Sequence, residues 1–465
     1  MSYSFNIIYT LFFFFFFFLT ARKMIENLNK KLYFLNDLII FSKKILKPQN
    51  YTFDKTKSKE LIKESVYSKP PVSLPILETF KKLPTLFPLT VKQSLIDYKE
   101  FNKNPLDAQS NLIKEFIPFS QSSNLKYKLI YNNIKEKSKD GKNYYMNELR
   151  LTNKSFDLSE TPRTHVLLIH GYASGFGLFI NNIAKICDNL INMNNKNVEF
   201  HCLDLPGHGF SSRDYDLPFK LRKHSYLDVE SYFAGHIDHY ITNLKETNQF
   251  KQNDKLVIVA HSCGSYFATL LANEKNLKHK FDKLIMVSPA GLTKMKNLPK
   301  APYYFKVLWE NFNVSPLSLV RNSGIFGSLL TSGWSYKRLT FIKNKHKRDV
   351  LHKYIYSIFN QRGCGEYMLP FILKTGADPV APLYERIFGT SEKNKIFSSK
   401  KTEWVWMFGD NDIFDVEGGY KCSSKLLEHG IKSKVIKVEK AGHHIYFDNQ
   451  EKFDQIIIDE LKPLV

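Results

Sequence analysis

Metal-ligand spacings are missing from this sequence. It holds no H-E-x-x-H and no paired C-x-x-C, so no metal site is expected. Also missing are the glycine fingerprint of a dinucleotide site and the phosphate-cradling P-loop, and no cofactor is expected. Cysteine is scarce: Cys187, Cys202, Cys263, Cys364 and Cys422 are scattered and odd in number. They outline no disulfide framework and read as free buried thiols. Acidic residues are short, with 45 Asp and Glu against 67 Lys and Arg and a net charge of +22. That charge would suit nucleic acid, but no nucleic-acid-binding motif accompanies it and lysine runs through the whole chain. Nucleic acid is therefore not expected as a partner.

What the chain does have is a series of apolar runs that each end in a chemistry-bearing turn. Leu256 to Val259 leads into Ala260-His261-Ser262-Cys263-Gly264-Ser265 and then a small-residue helix start, Tyr266 to Ala272. A strand, a sharp turn carrying a serine and a helix make a nucleophile elbow, which lifts the hydroxyl clear of the sheet. Ala260 stands where the first glycine of G-x-S-x-G usually does. The backbone N–H of Cys263 then points to where an acyl oxyanion forms. Upstream, His165 to Ile169 reads as a buried strand ending in His170-Gly171-Tyr172-Ala173-Ser174-Gly175. Such a turn supplies a second oxyanion donor, expected to be the Tyr172 N–H. Val198 to Leu203 is a further strand, closed by a glycine-rich turn that Asp204 and His208 are expected to shape. His170 and His261 read as packing or hydrogen-bonding residues.

Downstream, Glu403 to Phe408 runs into Gly409-Asp410-Asn411-Asp412-Ile413-Phe414-Asp415, and Lys434 to Val438 leads to Ala441-Gly442-His443-His444. The chain order is thus Ser, Asp, His. Ser262 is a poor nucleophile until a neutral imidazole takes its proton. His443 is the candidate base, with His444 beside it as the alternative. The base needs a carboxylate to fix its tautomer. Asp412 has the expected place in the loop, Asp415 is the alternative acid, and Asp410 sits nearer the strand end.

Three stretches carry a family resemblance: Leu167 to Phe179, Asp204 to Arg213 and Ala441 to Asp448. They resemble one branch of the α/β-hydrolases, which includes lysophospholipases, N-acyl phospholipid lipases, cardiolipin deacylases, plant phospholipases and a lipid-droplet lipase co-activator. The resemblance runs from about Leu125 to the C-terminus and is weakest between Leu292 and Lys401. It implies an α/β class chain with the α/β-hydrolase fold: a mostly parallel central sheet flanked by helices, with an inserted helical cap. It also implies H-x-x-x-x-D at His443 to Asp448, a signature linked in this branch to lysophosphatidic acid acyltransferase activity. From the residues themselves, His443 is the expected base, and Asp448 is expected to order the loop or cap the last helix. The co-activator resembles an inactive enzyme with asparagine at the nucleophile position, whereas this chain keeps Ser262.

The expected organisation follows from these landmarks. Residues 1–23 read as a signal or membrane anchor: Ile7 to Leu19 is apolar but for Thr10, holds seven consecutive phenylalanines, and precedes Arg22-Lys23. Residues 24–124 form a basic extension whose first part could lie on a membrane as an amphipathic helix. Residues 125–291 and 401–465 are the two parts of the core. Ser225 to Leu244 within it carries apolar residues at helical spacing and reads as a crossover helix. Residues 292–400 form the cap. From Lys294 to Arg348 the cap has eleven Lys and Arg against one acid, Glu310, with aromatics interleaved. Two readings stand: a lid that meets an anionic membrane through an aromatic mouth, or a solvated basic face over an ordinary aromatic core.

The expected function is that of a membrane-associated serine hydrolase, of the phospholipase or lysophospholipase type, in the endomembrane or secretory pathway, with a lipid as substrate. Acyl transfer to a lysophospholipid, a non-catalytic lipid-surface scaffold, and a soluble esterase or aminopeptidase are the alternatives.

Overall fold

The computed structural model describes residues 86–465 apart from 118–124, 135–143, 155–161, 194–196, 214–218, 220, 222, 248, 274–278, 296–302, 389–398 and 415, and the side chains of 303–305. The expected N-terminal anchor, the amphipathic segment after it and Asp415 lie outside the described residues. No described helix is long and apolar enough to cross a membrane.

Eight strands, β1 (Leu125–Ile134), β2 (Tyr144–Asn153), β3 (Thr164–Ile169), β4 (Val198–Leu203), β5 (Lys255–His261), β6 (Lys283–Val287), β7 (Glu403–Gly409) and β8 (Ser433–Val438), form one sheet. Their order is β1-β2-β4-β3-β5-β6-β7-β8. β2 runs against β1 and β4, and the remaining pairs are parallel. The helices flanking this sheet are α3 (Ile180–Asn192), α4 (Tyr226–Glu246), α5 (Cys263–Ala272), α10 (Val416–Glu428) and α11 (Gln450–Leu461); α1 (Val91–Lys103) and α2 (Asp107–Phe116) precede it. Between β6 and β7 lie α6 (Tyr303–Phe312), α7 (Leu317–Asn322), α8 (Gly327–Arg338) and α9 (Lys345–Asn360).

Helices on both faces explain why β3 to β7 are buried almost end to end and read as unbroken apolar runs. Alternate residues still choose sides. Val257 and Val259 join Ile183 and Leu190 of α3 and Ile457 of α11. Leu256, Ile258 and Ala260 join Phe233 and Ile237 of α4 and Phe267 of α5. The expected crossover helix is α4, with Val229, Phe233, Ile237, Tyr240 and Leu244 buried. It starts at Ser225, whose hydroxyl accepts from the Leu227 N–H while its own N–H donates to Asp228.

The last part of the expected basic extension, α1 and α2, packs onto the cap. Ser94 Oγ donates to the Ile325 carbonyl at 2.6 Å and accepts from the Leu329 N–H at 2.8 Å. Asp97 is buried, accepts from Ser328 Oγ at 2.5 Å, and lies 3.7 Å from His352 Nε2. The cap is tied to the core by Tyr354 of α9, whose hydroxyl accepts from the Gly177 N–H at 3.1 Å. Cap aromatics mostly pack inward. Trp309 is buried against Tyr172, Trp334 meets Phe359 and His444, Tyr336 meets His352, and Phe341 stacks on Phe447. Phe312, 69% exposed, points outward. Phe326 is also exposed, and the side chains of Tyr303, Tyr304 and Phe305 lie outside those described.

Candidate active site

Ser262 sits between β5 and α5 with φ 54° and ψ −119°, a left-handed conformation that a serine adopts only under constraint. The constraint is visible. Its N–H donates to the Val287 carbonyl at 2.9 Å, and its carbonyl accepts from Ala290 at 3.2 Å and Tyr266 at 3.3 Å. Two glycines permit the surrounding closeness. A Cβ on Gly171 would lie 2.9 Å from Ser262 Cβ, and one on Gly264 would lie 2.6 Å from the His170 carbonyl oxygen. Ala260 is fully buried, its methyl accommodated where the motif has glycine.

The ends of three strands bring three side chains into line. His443 Nε2 is 3.1 Å from Ser262 Oγ, and His443 Nδ1 is 3.2 Å from Asp412 Oδ1. With Nδ1–H donated to the carboxylate, Nε2 is left to accept the serine proton. Burial acts to raise Asp412, but its hydrogen bond and charge interaction with His443, with a smaller part from Ser288, hold it below the usual carboxylate range. Asp412 also accepts from the Phe414 N–H at 3.2 Å. His444, the alternative base, is half-buried and packs against Trp334 and Phe447 instead. Ser262 is 6% exposed and His443 9%.

The neighbourhood of the expected oxyanion donors is compact. The Cys263 thiol lies beside the Ser262 hydroxyl and the Tyr172 N–H, and burial pushes it up to about 12, so it stays neutral. The Tyr172 hydroxyl reaches Ser315 of the cap at 3.4 Å. His170 links the loops: its Nε2 accepts from the Leu205 N–H at 2.9 Å and its Nδ1 meets the Gly171 carbonyl at 2.7 Å.

Several residues that hold the histidine loop were not recognised as such from sequence. His261 Nε2 donates to the His443 carbonyl at 3.0 Å. Asp410, weighed as an acid, instead accepts from the Lys440 and Ala441 N–H groups at 3.0 Å each. Asp448 accepts from the Gly442 N–H at 2.8 Å and lies 3.2 Å from Arg338 of the cap. It orders the loop, while Asn449 caps α11. Of the two roles expected for Asp448, the structure shows the first, loop ordering, and gives the cap to Asn449.

One set of possible metal ligands exists among the described residues, His165, Glu199 and His201. It spans β3 and β4, where parallel register places His165 opposite Glu199. Arg163 and Arg150 already stand 3.2 and 3.4 Å from Glu199, so its carboxylate belongs to an ion-pair network.

Burial holds His170, His208 and His261 each down to about 3. An unfolded histidine titrates near 6.5, so below that pH the unfolded chain binds protons that the folded chain refuses. Stability then falls as pH falls, by about 1.4 kcal/mol per unit for each such proton. Asp204 and Asp454, pushed up to about 6 by burial, oppose this by binding protons in the folded chain between about 6 and 4. Three imidazoles outweigh two carboxyls. The melting temperature is expected to drop steadily from pH 7 to pH 5; a flat or rising profile in calorimetry would refute the assignment of neutral buried imidazoles.

With this geometry in view, relatives can be compared. A family model described as alpha/beta hydrolase fold matches residues 164–450. A 1-acylglycerol-3-phosphate O-acyltransferase of Saccharomyces cerevisiae is 21% identical over 366 residues, 68% of this chain and 86% of its own length. A (lyso)-N-acylphosphatidylethanolamine lipase of Homo sapiens is 23% identical over 316 residues, 66% of this chain and 82% of its own. Among solved structures, a carboxylesterase from Bacillus subtilis is similar at 12% identity with a TM-score of 0.46, covering 78% of this chain and 98% of that one.

Proposed function

Because the chain belongs to the alpha/beta hydrolase fold family, we propose that it is a serine hydrolase that cleaves carboxylic esters of lipids through an acyl-enzyme. The observation that carries this reading is the His443 imidazole bridging Ser262 and Asp412 at 3.1 and 3.2 Å. As Ser262 Oγ attacks the ester carbonyl, His443 Nε2 takes its proton and Asp412 stabilises the imidazolium. The N–H groups of Cys263 and Tyr172 receive the developing oxyanion. Collapse expels the alcohol, which takes its proton from His443, and a water activated the same way releases the fatty acid. The lipid class is supported by the relatives, a phospholipid lipase and a lysophospholipid acyltransferase by name.

Acyl transfer is the second reading, favoured by the low exposure of Ser262 and His443 under the cap, which restricts water. The two share the acyl-enzyme and differ in what takes the acyl group. The test is to treat the full chain with a fluorophosphonate, digest it and find the adduct by mass spectrometry; it is expected on Ser262. An unmodified, folded chain would overturn both readings and leave a scaffold role. Supplying an acyl donor with a lysophospholipid then separates them, since hydrolysis yields free fatty acid and transfer yields a diacyl product.

A further inference from the structure

At the junction of core and cap, a narrow recess is lined by Ala173, His208 and Arg213 from the core and by Arg321, Arg362 and Glu366 from the cap. Arg213 is the informative member. Its Nη2 donates to the Gly209 carbonyl at 2.8 Å, while Nε and Nη1 are buried and meet no acceptor. A guanidinium carries five N–H donors in a planar fork that matches phosphate. Most of this fork is withheld from both water and protein, and a charged donor left unpaired in a buried place is costly.

The nearby carboxylates do not relieve it. One oxygen of Glu366 lies 2.6 Å from Arg321 Nη2, and the other accepts from the Cys364 N–H at 2.8 Å. Asp204 accepts from the Phe176 N–H, the Phe210 N–H and Asn147. Among the described residues that line the recess, Arg213, Arg321 and Arg362 outnumber the one acid, Glu366. His208 adds no donor: its Nδ1–H is given to the Pro206 carbonyl at 3.1 Å, which leaves its buried Nε2 as an acceptor.

Position matters as well. Ala173 follows Tyr172 directly, so one Cα step of about 3.8 Å separates the recess wall from the expected oxyanion donor. Gly171 in turn packs on Ser262.

We propose that this recess is an anion subsite that takes the phosphate of a lysophospholipid whose acyl ester lies at Ser262, an assignment that rests on the serine-hydrolase reading above. Arg213 offers its Nε and Nη1 donors from the core, and Arg321 and Arg362 close from the cap. Arg362 is exposed at the rim of this narrow recess.

The test compares 1-acylglycerol 3-phosphate with the phosphate-free 1-acylglycerol of the same chain, using the full-length protein. In Arg213→Lys, which keeps the charge but loses the fork, the kcat/KM ratio of the first substrate over the second is expected to fall about tenfold or more, through KM. Arg362→Gln, a surface change that does not threaten folding, is expected to move the ratio the same way. Glycerol 3-phosphate is expected to compete with both substrates in wild type and more weakly in the variants. An unchanged ratio in both variants overturns the proposal. Competition by inorganic phosphate that the variants weaken, with the lipid ratio unchanged, overturns the headgroup assignment in favour of free phosphate. If Ser262 is never labelled, the hydrolase reading fails by itself. Calorimetric binding of glycerol 3-phosphate to wild type and Arg213→Lys still decides the subsite: weaker binding in the variant supports it, and equal or absent binding overturns it.

Discussion

Ser262→Ala is expected to lower kcat for ester cleavage by about 10⁴- to 10⁶-fold, and His443→Ala by about as much. The double variant is expected to lose little more than either single one. Serine and imidazole act as one device: without the base the hydroxyl keeps its proton, and without the hydroxyl the base has nothing to activate. The 3.1 Å separation and the low exposure of both groups hold them as one pair. Asp412→Asn keeps the shape but offers Nδ1 a partner that no longer selects the right tautomer, and about 10⁴-fold is expected there. The measurement is kcat on one ester for all four variants, with melting curves to show that each is folded. Near-wild-type rates in Ser262→Ala, or fully multiplicative losses in the double variant, would defeat the nucleophile–base assignment.

The second large effect concerns a residue with no side chain. A Cβ on Gly264 would stand 2.6 Å from the His170 carbonyl oxygen and 2.7 Å from that of Ile169. Both contacts are to backbone at the end of β3, which cannot rotate away. Gly264→Ala must push α5 off β3, and α5 carries Ser262 and the Cys263 N–H at its start. Overpacking of this kind costs about 1–3 kcal/mol, and a shift near 1 Å at a reacting group costs about 10²-fold in rate. A loss of about 3 kcal/mol in stability together with about 10²-fold in kcat is expected. Gly235 in α4 is the control, since a Cβ there meets nothing within 4 Å. Gly235→Ala is expected to be neutral or stabilising by up to about 1 kcal/mol, because alanine restricts the unfolded chain and favours helix. Equal melting temperatures and rates for both variants would contradict the close-packing account.

Both cases turn on how the fold brings separate stretches together, and they mark what could be read in advance. Leu256 to Ser265 announces a strand, an elbow and a helix because hydrophobic period and turn chemistry are local properties, and the φ of 54° at Ser262 follows from that local pattern. The continuous apolar runs of β3 to β7 likewise announce strands covered on both faces. The distance between Ser262 and His443, 181 positions apart, was implied only by their order at strand ends.

Other pairings left no such trace. Nothing in the polar stretch before Leu125 indicates that Asp97 reaches Ser328 and His352, because a buried carboxylate looks like an exposed one until its partners are known. Asp410, nearer the strand end than the expected acid Asp412, showed no role in the sequence; which side of its loop it faces is set by the β8 turn that it clamps. His165, Glu199 and His201 form a cluster only because parallel register aligns β3 with β4.

By itself, then, the sequence determined the class of fold, the elbow at Ser262 and the three strand ends that carry the candidate chemistry, since periodicity and turn residues act within about ten positions. Tertiary structure alone decided that α1 and α2 complete the cap, that His261 and Asp410 hold the histidine loop, and that Arg213 Nε and Nη1 are buried with no acceptor among the described residues. Those outcomes depend on which distant side chains share one desolvated space, where an unpaired charge or a missing hydrogen bond becomes expensive.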